Sequence, residues 1–316
     1  MSENIHTPVL LERSLELLGP AIKGENAVVV DATLGMGGHA AAILERFPSV
    51  TLVGIDRDTE ALEIARERLS PYATRIRLVH AVYDEIARVL AELRFERVAG
   101  ILFDLGVSSL QLDRVERGFS YSKDAPLDMR MDTTSNRTAA TILATYSELE
   151  LRRIFYELGD EKLAPRFASR IVQRRLEHPI TRSADLVELI IAATPAAAAR
   201  AGHPAKRVFQ ALRIEVNHEL AVLARAVPAA LDCLAVGGRV VVLSYQSLED
   251  RLVKREFQSR AASTAPAGLP VELPHHRPEF RLLVRGAELA SLEERSNNPR
   301  SASVRLRAAE RLREAA

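Results

Sequence analysis

Residues 28–40 read Val-Val-Val-Asp-Ala-Thr-Leu-Gly-Met-Gly-Gly-His-Ala. A short β-branched run closes on Asp31, Gly35, Gly37 and Gly38 punctuate a turn, and Ala40-Ala41-Ala42-Ile43-Leu44 then reads as a helix. Strand, glycine turn and helix in that order make a nucleotide cradle. Glycine is needed because the chain must turn sharply and let a ligand approach where a Cβ would clash, while the new helix presents free N–H groups.

The spacing bears on which ligand. The pattern is D-x-x-x-G-x-G-G-H, without the third glycine by which dinucleotide folds pack helix against strand. An acid four residues before the first glycine instead follows S-adenosylmethionine (SAM) methyltransferases, where Asp31 can organise the turn and the donor's methionine ammonium. A plain left-handed turn in an α/β domain is the competing reading.

Working outward, Thr51-Leu52-Val53-Gly54-Ile55 is a second buried strand ending in Asp56. It lies about twenty residues past the glycines, where the acid of a doubly wound sheet accepts ribose hydroxyls. NAD and SAM enzymes would both use it. Strand 76–80 and a helix over 84–93 continue the alternation, and Tyr83 between them either stacks on an adenine or closes the core edge. A fourth strand, 98–103, delivers Asp104 and the loop to Asp113 to the carboxyl edge, where open α/β sheets bind ligands. Ser108-Ser109 there faces a substrate or caps a turn. Gly237-Gly238 opens a fifth strand over 239–243, Ser247 and Asp250 look like a capping pair, and 280–284 and 303–307 read as the last strands. The expected fold class is α/β, a Rossmann-like doubly wound sheet. Before the cradle, Thr7-Pro8 reads as N-cap and first helical residue, with His6 as a cap, a surface residue or a site residue.

From Asp113 to Pro204 the alternation stops and short amphipathic helices take over. The expected domains are therefore 1–112 with 205–316, and an inserted helical domain over 113–204. Arg166, Arg170 and Arg174 share a helical face that meets phosphates or pairs with nearby acids. Asp128, Arg130 and Asp132 form an internal ion network or shape a pocket. Beyond Pro204 an apolar stripe (Phe209, Leu212, Val216) runs beside a polar one (Lys206, Gln210, Arg213, Asn217), solvated or substrate-facing. The excess of Arg295, Arg300, Arg305, Arg307, Arg311 and Arg313 near the C-terminus is a further candidate phosphate patch.

Composition sets the outer limits. At 316 residues and 47% hydrophobic content a sizeable core is available. No apolar run approaches about 18 residues and no basic-then-apolar leader opens the chain, so a soluble protein without a membrane segment is expected. A single cysteine, Cys233, excludes an internal disulfide and a cysteine zinc cluster and suits a reducing cytosol. The eight histidines lack metal spacing, so no metal is expected. A net charge of +1 argues against a generally basic nucleic-acid coat.

Several motifs occur together and in order: His6-Thr-Pro-Val-Leu-Leu, the Asp31–His39 turn, Asp104-Leu-Gly-Val-Ser-Ser with Gln-Leu-Asp113, Arg117-Gly-Phe-Ser, Pro126-Leu-Asp-Met-Arg-Met-Asp132, Arg207-Val-Phe-Gln-Ala-Leu-Arg-Ile, Ser247-Leu-Glu-Asp-Arg251 and Asn298-Pro-Arg-Ser301. Over nearly the whole chain they resemble the bacterial 16S rRNA cytosine-N4 methyltransferases, the ribosomal small subunit methyltransferase H family. The resemblance implies a class I SAM-dependent fold, SAM as methyl donor, and a cytidine in the decoding region of small-subunit rRNA as target. It also implies a cytoplasmic location, with 16S rRNA as partner, no membrane, and a homodimer left open. Carried over by position, its cofactor contacts fall on Gly37, Gly38, His39, Asp56, Tyr83, Asp104 and Gln111. Where that family commonly reads Phe-His-Ser, this chain has Tyr245-Gln246-Ser247. Glutamine does not titrate, so position 246 is not an obligatory proton acceptor here. The C-terminal segment is also less basic than the family's usual run.

A cytosine amine is a weak nucleophile because its lone pair is delocalised into the ring. Catalysis must come from positioning and from an acceptor on an amine hydrogen. Asp104 is the first candidate for that acceptor, with holding the donor as its rival duty. The base must be unstacked to react. An NAD-type oxidoreductase and a non-catalytic ribosome-assembly factor are the competing function classes.

Overall fold

β-branched Val28, Val29 and Val30 fix the first strand, β1 (Val28–Asp31), and the alternation of its side chains decides the layering. Val29 belongs to one core cluster and Val30 to another. Leu102 against Ile101 and Phe103 repeats this on the neighbouring strand, so the sheet is covered on both faces. The computed structural model describes residues 8–196, 202–266 and 273–314. His6 and Thr7 lie outside the described residues, as does most of the alanine-rich connector after Pro195; the first helix begins at Leu11 behind a left-handed Leu10, not at Pro8.

The sheet holds seven strands among the described residues, in the order β3-β2-β1-β4-β5-β7-β6. After β1 come β2 (Thr51–Asp56), β3 (Ile76–His80), β4 (Val98–Asp104), β5 (Leu234–Ser244), β6 (Phe280–Leu282) and β7 (Arg305–Arg311). β1 to β5 are parallel, and β7 inserts antiparallel between β5 and β6. Asp31 pairs across to Gly54 and Leu102, Asp56 to His80, and Asp104 to Leu243. Register thus brings the three aspartates that end β1, β2 and β4 to the carboxyl edge of the sheet.

Helices are numbered in chain order. One face of the sheet is covered by α1 (Leu11–Ile22) and α2 (Gly38–Arg46), through Leu15, Leu18, Ile22, Ile43 and Leu44. The other is covered by α4 (Ile86–Glu92), α11 (Glu219–Cys233) and α12 (Ser247–Arg260), through Val89, Leu90, Leu223, Val227, Leu231, Val253 and Phe257. α3 (Thr59–Arg68) follows β2, capped by Asp58, and α13 (Leu292–Asn297) precedes β7.

Contacts divide the chain into two units, Met1–Gly106 with Leu220–Ala316, and Val107–Glu219. The second is helical: α5 (Ser109–Asp113), α6 (Ala139–Thr145), α7 (Glu148–Gly159), α8 (Ala164–Glu177), α9 (Ser183–Ala193) and α10 (Ala205–Asn217) surround a core of Phe119, Ile142, Phe155, Phe167, Ile190 and Phe209. The chain enters this unit six residues before the expected 113, at 107, and leaves it after the expected 204, at 219. The later exit has a packing cause: the apolar stripe of α10, with Val208, Phe209, Leu212 and Val216, is buried in the helical core.

The helical unit also settles what its polar residues do. Asp128 and Arg130 form a two-pronged ion pair, Nε to Oδ1 at 2.6 Å and Nη2 to Oδ2 at 2.7 Å, while Asp132 accepts from Thr134 and closes a turn. The polar stripe of α10 is largely tied inward. Gln210 donates to the Leu158 carbonyl, Arg213 pairs with Glu219 at 2.8 Å, and Asn217 bonds both Met131 N–H and Met129 carbonyl at 2.7 Å. By contrast, Arg166, Arg170 and Arg174 are exposed along α8, and none has an ion pair among the described residues.

Candidate active site

Asp31 is buried at 1% exposure and accepts the Thr33 N–H at 3.3 Å. The chain then passes Gly35 and Gly37, both left-handed with φ of 53° and 75°. A Cβ on Gly37 would meet Leu69 at 3.3 Å, and one on Gly38 would meet the Pro8 ring at 2.7 Å. The cradle therefore needs glycine twice over, for backbone torsion and for space. Gly37 caps α2 without a side chain, so the first-turn N–H groups face the loop without a side-chain acceptor.

Asp56 staples this turn to the next strand. Its Oδ2 accepts the Gly35 N–H at 2.7 Å and its Oδ1 the Asp58 N–H at 2.8 Å. Burial nevertheless wins over these bonds and pushes its pKa up to about 6. For Asp31 the same burial, opposed by the Thr33 N–H and reinforced by Asp104 and Asp56, pushes the pKa up to about 7. Three carboxylates share one edge, and the most buried of them is close to half-protonated at neutral pH in the free protein.

Asp104 ends β4 in a more solvated position, with 27% of its side chain exposed. Its N–H donates to Thr33 Oγ1 at 2.6 Å, and its Oδ1 accepts the Tyr245 hydroxyl at 2.7 Å. His39, buried in the first turn of α2, sets Nδ1 3.7 Å from Asp104 Oδ2 and Nε2 3.1 Å from the Val9 carbonyl. A carbonyl only accepts, so Nε2 carries the ring proton in the neutral form. Tyr83 rests edge-on against Phe103, with ring centroids 5.7 Å apart at 87°, a core-edge contact.

Of the residues expected from sequence, Gly37, Gly38, His39, Asp56, Tyr83 and Asp104 thus lie in the sheet unit, on the glycine turn, its helix or the ends of β2, β3 and β4. Gln111 belongs to the helical unit, buried at N3 of α5, where Oε1 accepts the Ser108 N–H at 3.1 Å and its own N–H donates to Ser108 Oγ at 3.3 Å. Ser108 is the cap of α5, the second of its two readings.

Two expectations change. Ser247 and Asp250 do not cap α12; Gln246 stands at the N-cap, and Glu249 reaches back to the N–H groups of Tyr245 and Gln246 at 2.9 and 3.2 Å. Asp250 is held instead by Arg307 at 2.6 Å and Arg305 at 3.1 Å. The C-terminal arginine patch is correspondingly reduced. Arg311 is buried on the Leu234 and Asp232 carbonyls and Arg313 binds the carbonyls of Arg277 and His275. Tyr245 and Thr33 escaped the sequence reading. Tyr245 directly follows the fifth strand, so the carboxyl-edge rule applied to that strand as well would have flagged it.

No grouping of three or more His, Cys, Asp or Glu suited to a metal occurs among the described residues. No described helix is long and apolar enough to cross a membrane.

The chain matches the model of the MraW methylase family over residues 3–312. A ribosomal RNA small subunit methyltransferase H of Clavibacter michiganensis subsp. michiganensis is 70% identical over 311 residues, covering 98% of both chains. The protein of that name from Leifsonia xyli subsp. xyli is 69% identical over 310 residues, covering 98% of this chain and 95% of its own. One from Thermobifida fusca is 60% identical over 310 residues, 98% of this chain and 94% of its own. The seven-stranded sheet with its glycine turn after β1 is the Rossmann-like class I methyltransferase fold, and by match length and identity alike the chain belongs to the MraW methylase family.

Proposed function

We propose that this protein is a SAM-dependent rRNA methyltransferase that methylates the exocyclic N4 amine of a cytidine in the decoding region of 16S rRNA, acting in the cytoplasm. Family membership and the names of its relatives support SAM-dependent rRNA methylation. The observation that carries the finer reading is Asp104. A carboxylate that accepts the Tyr245 hydroxyl, on a backbone pinned by its own N–H to Thr33 Oγ1, stands at the end of β4, on the same sheet edge as the glycine cradle.

The residues fit the donor. Gly35 and Gly37 give the turn its left-handed torsions, the start of α2 carries no side-chain cap, Asp31 ends β1 as a counter-charge for an ammonium, Asp56 ends β2 at the position of a ribose acceptor, and Tyr83 offers an aromatic ring. Gln111, at N3 of α5 in the helical unit, is proposed as a donor contact on its sequence position alone. SAM held by these residues would supply a methyl on a sulfonium sulphur, the C–S bonding pair leaving with sulphur as the amine lone pair forms the new bond.

The chain's own contribution is positioning. Asp104 accepts a hydrogen bond from one amine hydrogen, which localises the nitrogen lone pair and aims it along the line of transfer; the same carboxylate then takes the proton that the methylated amine must lose. Water exclusion around the half-buried carboxylate strengthens that bond. The exposed arginines of α8 supply phosphate contacts.

The test is methyl transfer from labelled SAM to small ribosomal subunits from cells in which the gene is deleted, with the RNA digested to nucleosides. Label in N4-methylcytidine, lost in Asp104→Ala, is the expected result. No label from the wild-type protein despite SAM binding would overturn the reading and favour a ribosome-assembly factor.

A further inference from the structure

Asp104 is asked to accept a hydrogen bond while standing beside other carboxylates, and the structure gives it a partner that no motif assigns. The groups facing it are Asp31 from β1, His39 from α2, and Tyr245 from the turn between β5 and α12. Asp31 disfavours a second charge, and His39 Nδ1 at 3.7 Å is beyond a hydrogen bond. Tyr245 Oη donates to Oδ1 at 2.7 Å.

Tyr245 is itself fixed from several sides. Its N–H donates to Glu249 at 2.9 Å, anchoring the start of α12. Its ring lies over Gly106, where a Cβ would stand 3.4 Å from Cδ2, and Gly106 has a φ of 95° that suits glycine alone. Burial, with the carboxylates of Asp104, Glu249 and Glu294 around it, holds the phenol well above its ordinary range, so the hydroxyl stays a donor across working pH.

We propose that Tyr245 is a positioning residue for methyl transfer: its part-buried hydroxyl, bonded to Asp104 Oδ1, fixes the carboxylate plane at the end of β4 and keeps Asp104 charged as acceptor of the target amine hydrogen. A protonated Asp104 would lose that acceptor capacity, and a freely rotating one would lose alignment. The inference rests on the methyltransferase reading above.

Tyr245→Phe tests it, keeping the ring and its packing over Gly106. The expected result is a fall of about tenfold in kcat with KM for SAM unchanged, and an acid limb of the pH–rate profile moved up by about one unit. The Asp104 carboxyl, titrated by carbon-13 NMR in SAM-free protein, should move up by a similar amount. An unchanged Asp104 titration, or a raised KM for SAM with unchanged kcat, would overturn the proposal. The titration reads Asp104 whether or not methyl transfer occurs, so an inactive wild-type protein with the expected shift would count against the proposed function and not against the role of Tyr245.

Discussion

The most consequential residue after Asp104 is Asp31, because its charge is contested. Its pKa of about 7 against an ordinary 3.8 means that folding favours the protonated form. Its stabilising contribution is therefore full below about pH 4 and is lost as pH rises through 7. Asp31→Asn should stabilise the SAM-free protein at pH 8 by roughly 2–4 kcal/mol and leave it little changed at pH 4, read as urea midpoints at the two pH values. The same residue makes a binding prediction of opposite benefit. An ammonium requires ionised Asp31, so SAM affinity of the wild type should rise several-fold from pH 6 as Asp31 ionises and fall again once the donor's amine loses its proton, measured by calorimetry, with the rise abolished in Asp31→Asn. Gly37→Ala places a side chain at φ 75° against Leu69. It should cost about 1–2 kcal/mol in stability and weaken SAM binding, which denaturant titration and calorimetry would check.

At the scale of elements, one tie holds segments that local sequence leaves unrelated. α12 is bound to β7 through Asp250, whose carboxyl Arg307 and Arg305 hold below the usual range although burial works against its charge. Asp250→Asn should cost about 2–3 kcal/mol at pH 7, a cost that shrinks as pH falls through the lowered folded-state pKa of the carboxyl, read as urea midpoints across that range. α8 presents Arg166, Arg170 and Arg174 one turn apart on an exposed face. Replacing all three with alanine should weaken rRNA binding and reduce the slope of log affinity against log salt by about 2–3, with SAM affinity unchanged. A salt slope equal to that of the wild type would remove α8 from the RNA contact.

For the molecule as a whole, the sheet unit is assembled from both ends of the chain, with β5, β7 and β6 returning only after the helical unit is complete. β7 pairs with β5 from Arg239 to Ser244 and covers an edge that would otherwise be open. A chain ending at Val304 should therefore aggregate or lose its cooperative unfolding transition, seen by calorimetry and light scattering.

Local rules determined a good deal. Apolar, β-branched runs gave strands 28–31, 51–56, 76–80 and 98–104 nearly to the residue, all but the third ending in an acid, because backbone propensity and burial are written in contiguous sequence. The glycine turn was legible for the same reason: Gly35 and Gly37 are demanded by their own torsions. Tertiary structure decided the rest. Whether Ser247 or Gln246 caps α12, whether Arg307 meets phosphate or Asp250, and whether the polar stripe of α10 faces solvent or the Met129–Met131 backbone depend on partners distant in the chain. The hydrogen bond between Tyr245 and Asp104 spans 141 positions. No local spacing encodes it, because only parallel pairing of β4 with β5 brings those two strand ends side by side.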